Sequence, residues 1–167
     1  MSSTMSFNQK ELREAFSHFP SGVAAIAALH EGQRHVIVAS SFSVGVSLDP
    51  PLAAFFVQRG SSTWPLLAQA QRIGVSVLNA EHSLICRQLA SADKAARFEG
   101  IGEHTTEHGA IRIPDAPVWF DCTVHDVHPA GDHLAVQLRI HDLHIQQQSA
   151  PLVFHQSRFT SLSPCHA

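Results

Sequence analysis

The strongest constraint on how this chain can fold is a proline pair set between two apolar, β-rich runs. Val36–Ala39 is short and rich in β-branched residues, the make-up of a strand. Leu52–Val57 is apolar without a break, which predicts a strand with little solvated face. Ser40–Ser47 between them reads as a serine-rich bend, and Leu48-Asp49-Pro50-Pro51 as a stop. Asp49 precedes a proline and is pushed to extended geometry, and neither proline has a backbone N–H to donate. Arg59-Gly60-Ser61-Ser62-Thr63 then supplies a cation, a permissive glycine and three hydroxyls ahead of Trp64-Pro65. Proline is tolerated in a first helical turn, so a short helix is expected here, capped by Ser62 or Thr63. Such a turn is either an ordinary strand–loop–helix connection or, with its free N–H groups, hydroxyls and arginine, a phosphate site.

The rest of the chain follows the same logic. Asn8-Gln9-Lys10-Glu11 is a capping-box start, and Leu12, Ala15, Phe16 and Phe19 repeat at helical spacing, predicting a helix to about His18 with its stripe in the core. Val23–His30 and Arg34–Ala39 read as a hairpin about Glu31-Gly32-Gln33. Arg72–Asn79 is strand-like, and His82–Leu89 is a short helix with Leu84, Ile85 and Leu89 inward. Residues 90–117 read mostly as loop, with one short strand near Ile111. Val118–His128 and His133–Gln146 are strands about a Pro129–Asp132 turn, and Leu152–His155 is a last short strand. Many strands, few short helices and turn signals between them predict a closed antiparallel barrel. The domain is expected over 7–160, with tails at 1–6 and 161–167.

Composition narrows the function. The chain has 167 residues, net charge -3 and only 11 Lys+Arg, which argues for one domain and against a nucleic-acid surface. No run reaches membrane-spanning length, and residues 1–6 lack the features of a signal peptide. Cys86, Cys122 and Cys165 are odd in number and far apart, which fits reduced thiols in a cytoplasmic protein. The 13 histidines raise a metal site. However, His125/His128 and His141/His144 are three apart on predicted strands and point to opposite faces, and no cysteine pair accompanies them. No metal site is expected. Gly100-Ile101-Gly102 neither follows a strand nor opens a helix, so it is not a dinucleotide fingerprint.

There is no nucleophile elbow, no P-loop and no carboxylate pair. A phosphate-type turn with a serine-rich bend suits a planar, phosphorylated cofactor that carries the chemistry itself. The ordered motifs are Phe19-Pro20-Ser21-Gly22-Val23, Val38-Ala39-Ser40-Ser41-Phe42, Ser47-Leu48-Asp49-Pro50-Pro51, Arg59-Gly60-Ser61-Ser62-Thr63, Arg72–Leu78, Arg97-Phe98-Glu99-Gly100, Gly131-Asp132-His133 and Phe154–Phe159. Each is weak alone. In this order, over nearly the whole chain, they resemble the flavin reductase-like family, the FMN-binding split barrels that supply reduced flavin to two-component monooxygenases.

The resemblance implies a mainly β fold, a six-stranded antiparallel Greek-key split barrel with a few peripheral helices, as a homodimer. A dimer also fits the apolar surface expected from Ala24–Leu29 and Leu52–Val57. The activity implied is hydride transfer from NAD(P)H to FMN, with FAD as the alternative flavin, for a partner monooxygenase. By resemblance, Val38, Ala39, Ser40, Ser41 and Phe42 line the flavin ring and ribityl chain. Arg59, Ser61, Ser62 and Thr63 hold its phosphate, and Phe98 covers it or a neighbouring subunit's site. His133, His155, Arg158 and Phe159 lie on the nicotinamide side. Three departures from the pattern stand out: Val38 replaces a common threonine, one extra residue within Ser43–Ser47 predicts a bulge at Gly45, and Leu138-Arg139 replaces a Gly-Glu pair. The competing readings are an FMN-binding carrier or sensor without turnover, and a histidine-rich metal-binding barrel.

Overall fold

Residues 8–146 and 149–165 are described by the computed structural model of the chain. The expected tail at 1–6 lies outside them, as do residues 166 and 167 of the expected C-terminal tail. Helix α1 (Gln9–Ser17) starts at the expected cap: Asn8 Oδ1 accepts the Glu11 N–H at 2.8 Å, and Glu11 accepts the Asn8 N–H in return. Its stripe is not core, contrary to expectation. No α1 residue is buried, and Phe16 and the following Phe19 are 66% and 76% exposed. The strands fill the interior with their own side chains, so nothing is left there for this helix to cover.

After β1 (Ser21–Gly22), β2 (Ala24–His30) and β3 (Gln33–Ala39) form the expected hairpin. Its turn residues Glu31 and Gly32 both take positive φ, the geometry that matches the twist of the flanking strands. The serine-rich bend gives way at Ser43 to a strand, β4 (Ser43–Leu48). It pairs with β5 (Pro51–Gln58), and the register shifts between Ser43 and Ser47 around Gly45 (φ 72°), where a bulge was expected. Next come α2 (Trp64–Leu67), β6 (Ile73–Val77) and α3 (Ser83–Leu89). A small pair, β7 (His104–Thr105) and β8 (Ile111–Arg112), precedes the long hairpin β9 (Val118–Ala130) and β10 (His133–Ile145). β11 (Val153–His155) and β12 (Arg158–Thr160) close the chain, pairing with β1 as a small sheet.

The main sheet is antiparallel in the order β3-β2-β6-β9-β10-β5-β4. It curls until β3 approaches β5, so six strands form the barrel and β4 lies outside the seam. Between β3 and β5 there is no ladder, and this is the split. At its end, in the connection between β3 and β4, Ser41 Oγ accepts the Phe56 N–H at 3.0 Å and donates to the Phe56 carbonyl at 3.1 Å.

Two cores flank the sheet. Inside are Ala24, Ile26, Phe55, Trp64, Leu67, Ile73, Val75, Val136 and Leu138. Outside, Leu78, Leu89, Phe98, Ile111, Ile113 and Leu152 cover the opposite face. β2 is therefore buried on both faces, which explains its alanines and removes it as the apolar surface expected for a dimer. β5 is not the all-buried strand expected either: Ala53, Phe55 and Val57 point in, while Phe56 is 45% exposed. In α3, Ile85, Cys86 and Leu89 share the inner face, while Leu84, about 100° per residue away, projects to solvent. One histidine is structural: buried His82 accepts the Asn79 N–H at 3.0 Å and bonds the Pro114 carbonyl at 2.9 Å, and burial lowers its pKa. All three cysteines are free, and burial pushes Cys86 up to about 11 and Cys122 up to about 12.

The backbone of β8 crosses directly over Gly74, where a Cβ would lie 2.0 Å from the Ile111 carbonyl oxygen. Backbone cannot rotate away as a side chain can. Gly74→Ala is therefore expected to lower stability by about 2–4 kcal/mol in urea unfolding, and a loss below about 0.5 kcal/mol would contradict this packing.

Candidate functional site

The split between β3 and β5 opens a cleft of about 440 Å³. That is within the usual range for small-molecule sites. Ile37 and Val38 line it from β3, Phe56, Val57 and Gln58 from β5, Gly60–Thr63 from the hydroxyl turn, and His133 from β10. Lys94 and Arg97 complete it.

The hydroxyl turn is built by local bonds. Ser61 Oγ accepts the Trp64 N–H at 3.2 Å, so Ser61 holds the start of α2, not Ser62 or Thr63 as expected. Ser61 stands three residues before Trp64, the spacing of a side chain folding back onto a turn. The helix is a single turn, so its dipole adds little. Charge comes from elsewhere: Lys94 Nζ donates to Ser62 Oγ at 2.6 Å, and Arg97 Nη1 lies 3.4 Å from Thr63 Oγ1. Arg97 also donates to the Ser91 carbonyl at 2.7 Å and the Val36 carbonyl at 3.1 Å, which locks the 94–97 turn to β3. Asp93 caps that turn by accepting the Ala95 N–H at 3.1 Å.

Arg59 does not join the cleft. It is exposed, and its Nε lies 3.4 Å from the His133 carbonyl, so it ties two strand ends together. The cations at the hydroxyls are Lys94 and Arg97, which the sequence reading did not place there. The signal was present in two cations three apart in Lys94-Ala95-Ala96-Arg97, directly before the Phe98-Glu99-Gly100 motif.

A second hollow of about 440 Å³ lies across Phe56, lined by Phe19–Gly22 and Ser40–Ser43. Ser40 is exposed there, and Phe42 packs against Phe120 with ring centres 6.4 Å apart. Ser41 spends its hydroxyl on the seam. Ala39 faces the inner core, so its side chain reaches neither cavity. Ser21 and Gly22 of this hollow pair with Phe154 and Val153, so the β11–β12 segment carrying His155, Arg158 and Phe159 lies one strand further on. Those three residues line their own surface cavity of about 340 Å³, apart from the cleft. Phe98 departs from expectation too. It is buried in the outer core, with the Arg34 guanidinium 5.0 Å from its ring centre.

His133 Nδ1 bonds Asp132 Oδ1 at 2.6 Å, and that bond holds the Asp132 carboxyl below its usual range. Among the described residues no hydroxyl or thiol is hydrogen-bonded to His133, and the turn serines bond amide or ammonium groups. A hydroxyl nucleophile is thus not activated here. What the site offers is a slot between two strands, cations and hydroxyls at one end, and a second hollow at the other.

Comparison with known proteins fits this shape. A model of the flavin reductase like domain matches residues 16–163. A flavin reductase of Pseudomonas putida is 31% identical over 148 residues, covering 88% of this chain and 86% of that one. The actinorhodin polyketide dimerase of Streptomyces coelicolor is 35% identical over 162 residues, covering 95% and 89%. Among solved structures, the NADH:FAD oxidoreductase SgcE6 of Streptomyces globisporus, in complex with NAD and FAD fragments, superposes with a TM-score of 0.86. It is 25% identical and covers 94% of each chain.

A charge placed at Ser62 should matter only to a ligand that carries phosphate. Lys94→Gln keeps a polar side chain, one atom shorter, and removes the charge. In calorimetric titration it is expected to weaken FMN binding about tenfold and riboflavin binding by less than about twofold. Equal losses for both ligands would contradict the phosphate assignment.

Proposed function

The chain belongs to the flavin reductase-like family, and from that premise we propose that it is an NAD(P)H:flavin oxidoreductase. It passes reduced flavin to a separate flavin-dependent monooxygenase. The observation that carries the reading is the placing of Ser62, Thr63, Lys94 and Arg97 at one end of an open barrel seam.

The residues fit a flavin nucleotide. Ser61, Ser62, Thr63 and Lys94 hold its phosphate, and Arg97 braces the turn from behind. Val38 and Phe56 flank the slot, while Ser40, Ser41 and Phe42 shape the hollow beyond it. When bound, the flavin supplies a ring that accepts a hydride from the nicotinamide, so no protein nucleophile is required. The protein orients the reactants and keeps water out. His133, oriented by Asp132, lines the cleft opposite β3. His155, Arg158 and Phe159 receive the nicotinamide nucleotide across β1. FMN and FAD both satisfy the phosphate end.

The working form is a homodimer. Val44, Val46 and Leu48 of β4 are 60%, 52% and 89% exposed, next to half-exposed Phe56. Such an apolar patch beside the seam suits a second copy of the chain. Free thiols at Cys86 and Cys122 suit the cytoplasm. Among the described residues no helix is long and apolar enough to cross a membrane. The reacting unit is the domain at 7–160.

The test is steady-state oxidation of NADH and NADPH with FMN, FAD and riboflavin. Turnover that depends on added flavin and exceeds the rate of free flavin is expected. A yellow protein whose flavin survives dialysis and ignores both nicotinamides would instead make it a carrier or sensor.

A further inference from the structure

The phosphate end of the cleft is not closed. Beyond Lys94 lies another hollow, of about 470 Å³, lined by Gly32, Gln33, Arg34, His35, Leu66, Lys94, Ala95 and Phe98. Three elements line both cavities. β3 gives Ile37 and Val38 to the cleft and Gln33–His35 to the hollow. Thr63, at the start of α2, faces the cleft, and Leu66, one turn on, faces the hollow. The 94–98 segment gives Arg97 to the first, Ala95 and Phe98 to the second, and Lys94 to both. The two cavities adjoin at Lys94. From Val38 to Arg34 the strand advances four residues, about 13 Å.

Resting on the reductase reading, we propose that this hollow takes the adenylate half of FAD and that the chain prefers FAD to FMN. A group that enters here must continue from whatever phosphate sits on Ser62 and Lys94. In FMN that phosphate is terminal. In FAD it carries a second phosphate and an adenosine, directed away from the reacting ring. Lys94, between the cavities, faces both phosphates. Arg34 presents a flat guanidinium for adenine, backed by the Phe98 ring at 5.0 Å and held by its ion pair with Glu103. His35 is half-buried beside it. Burial, then His30 and Lys94, hold it below the ordinary imidazole value, so at neutral pH it can bond a base without charge. The adenylate of a nicotinamide dinucleotide is a poorer occupant, because His155, Arg158 and Phe159 lie beyond the opposite end of the cleft.

The test is calorimetric titration with FAD, FMN and 5′-AMP. The unaltered protein is expected to bind FAD more tightly than FMN, and 5′-AMP to compete with FAD but not with FMN. Arg34→Leu should weaken FAD about tenfold and FMN by less than about twofold, with Arg34→Lys between the two because it keeps charge but loses the plane. Intact FMN binding shows that each variant is folded. Equal affinity of the unaltered protein for FAD and FMN, an equal loss of both in Arg34→Leu, or 5′-AMP competing with NADH and not with FAD would each overturn the assignment. Failure of the unaltered protein to bind any flavin would remove the reductase reading and this inference with it.

Discussion

The barrel of this molecule is left open along one seam, and one serine hydroxyl pins the end of that seam. Where β3 and β5 meet, a continuous ladder would seal the barrel, and no ladder would leave a strand edge bare. Ser41 does neither. From the connection between β3 and β4 it satisfies both backbone groups of Phe56, in line with the Ser43–Ala54 pairing of β4 and β5. Both bonds are exposed, so each contributes about 1 kcal/mol and their effect is to fix where the two segments meet. On one side of the bridge lies the cleft and on the other the Ser40–Phe42 hollow, and Phe56 borders both. The open slot thus follows from the way the seam is closed.

The electrostatics of the slot come from packing at a distance in sequence. Asp93 caps a turn, the turn points Lys94 and Arg97 at the hydroxyls, and Arg97 is anchored by carbonyls of Ser91 and Val36. A phosphate arriving there meets groups already held in place, so little ordering cost remains. The hydrogen bond with Asp132 fixes the His133 ring where it lines the cleft.

Much of the fold was legible in the chain. The alternation of strand and turn signals, the Asn8 cap and the Glu31-Gly32 hairpin are local, and local chemistry decides them, while the Gly45 bulge was legible from the spacing of the family pattern. The order of motifs carried the split barrel and the family. What was not legible depends on partners far away in sequence. Leu12, Phe16 and Phe19 look like a core stripe, but the barrel has no room for them. Leu52–Val57 looks buried on both sides because its pattern is apolar throughout, yet half of it faces out beside the seam. Arg59 sits next to the hydroxyls in sequence but turns to the His133 carbonyl, while Lys94 and Arg97, some thirty residues later, reach them. Phe98 reads as a cofactor cover and proves to be core with an arginine on its face.

The central claim is that the Ser41-bridged seam is a flavin slot with its acidic end on the 61–63 turn. The most direct measurement is a crystal structure of the protein with FMN. The account predicts the ring system between Val38 and Phe56 and the phosphate within hydrogen-bond reach of Ser62 and Lys94. Flavin bound at another surface, or a seam closed by β3–β5 backbone pairing with no space between the strands, would contradict it.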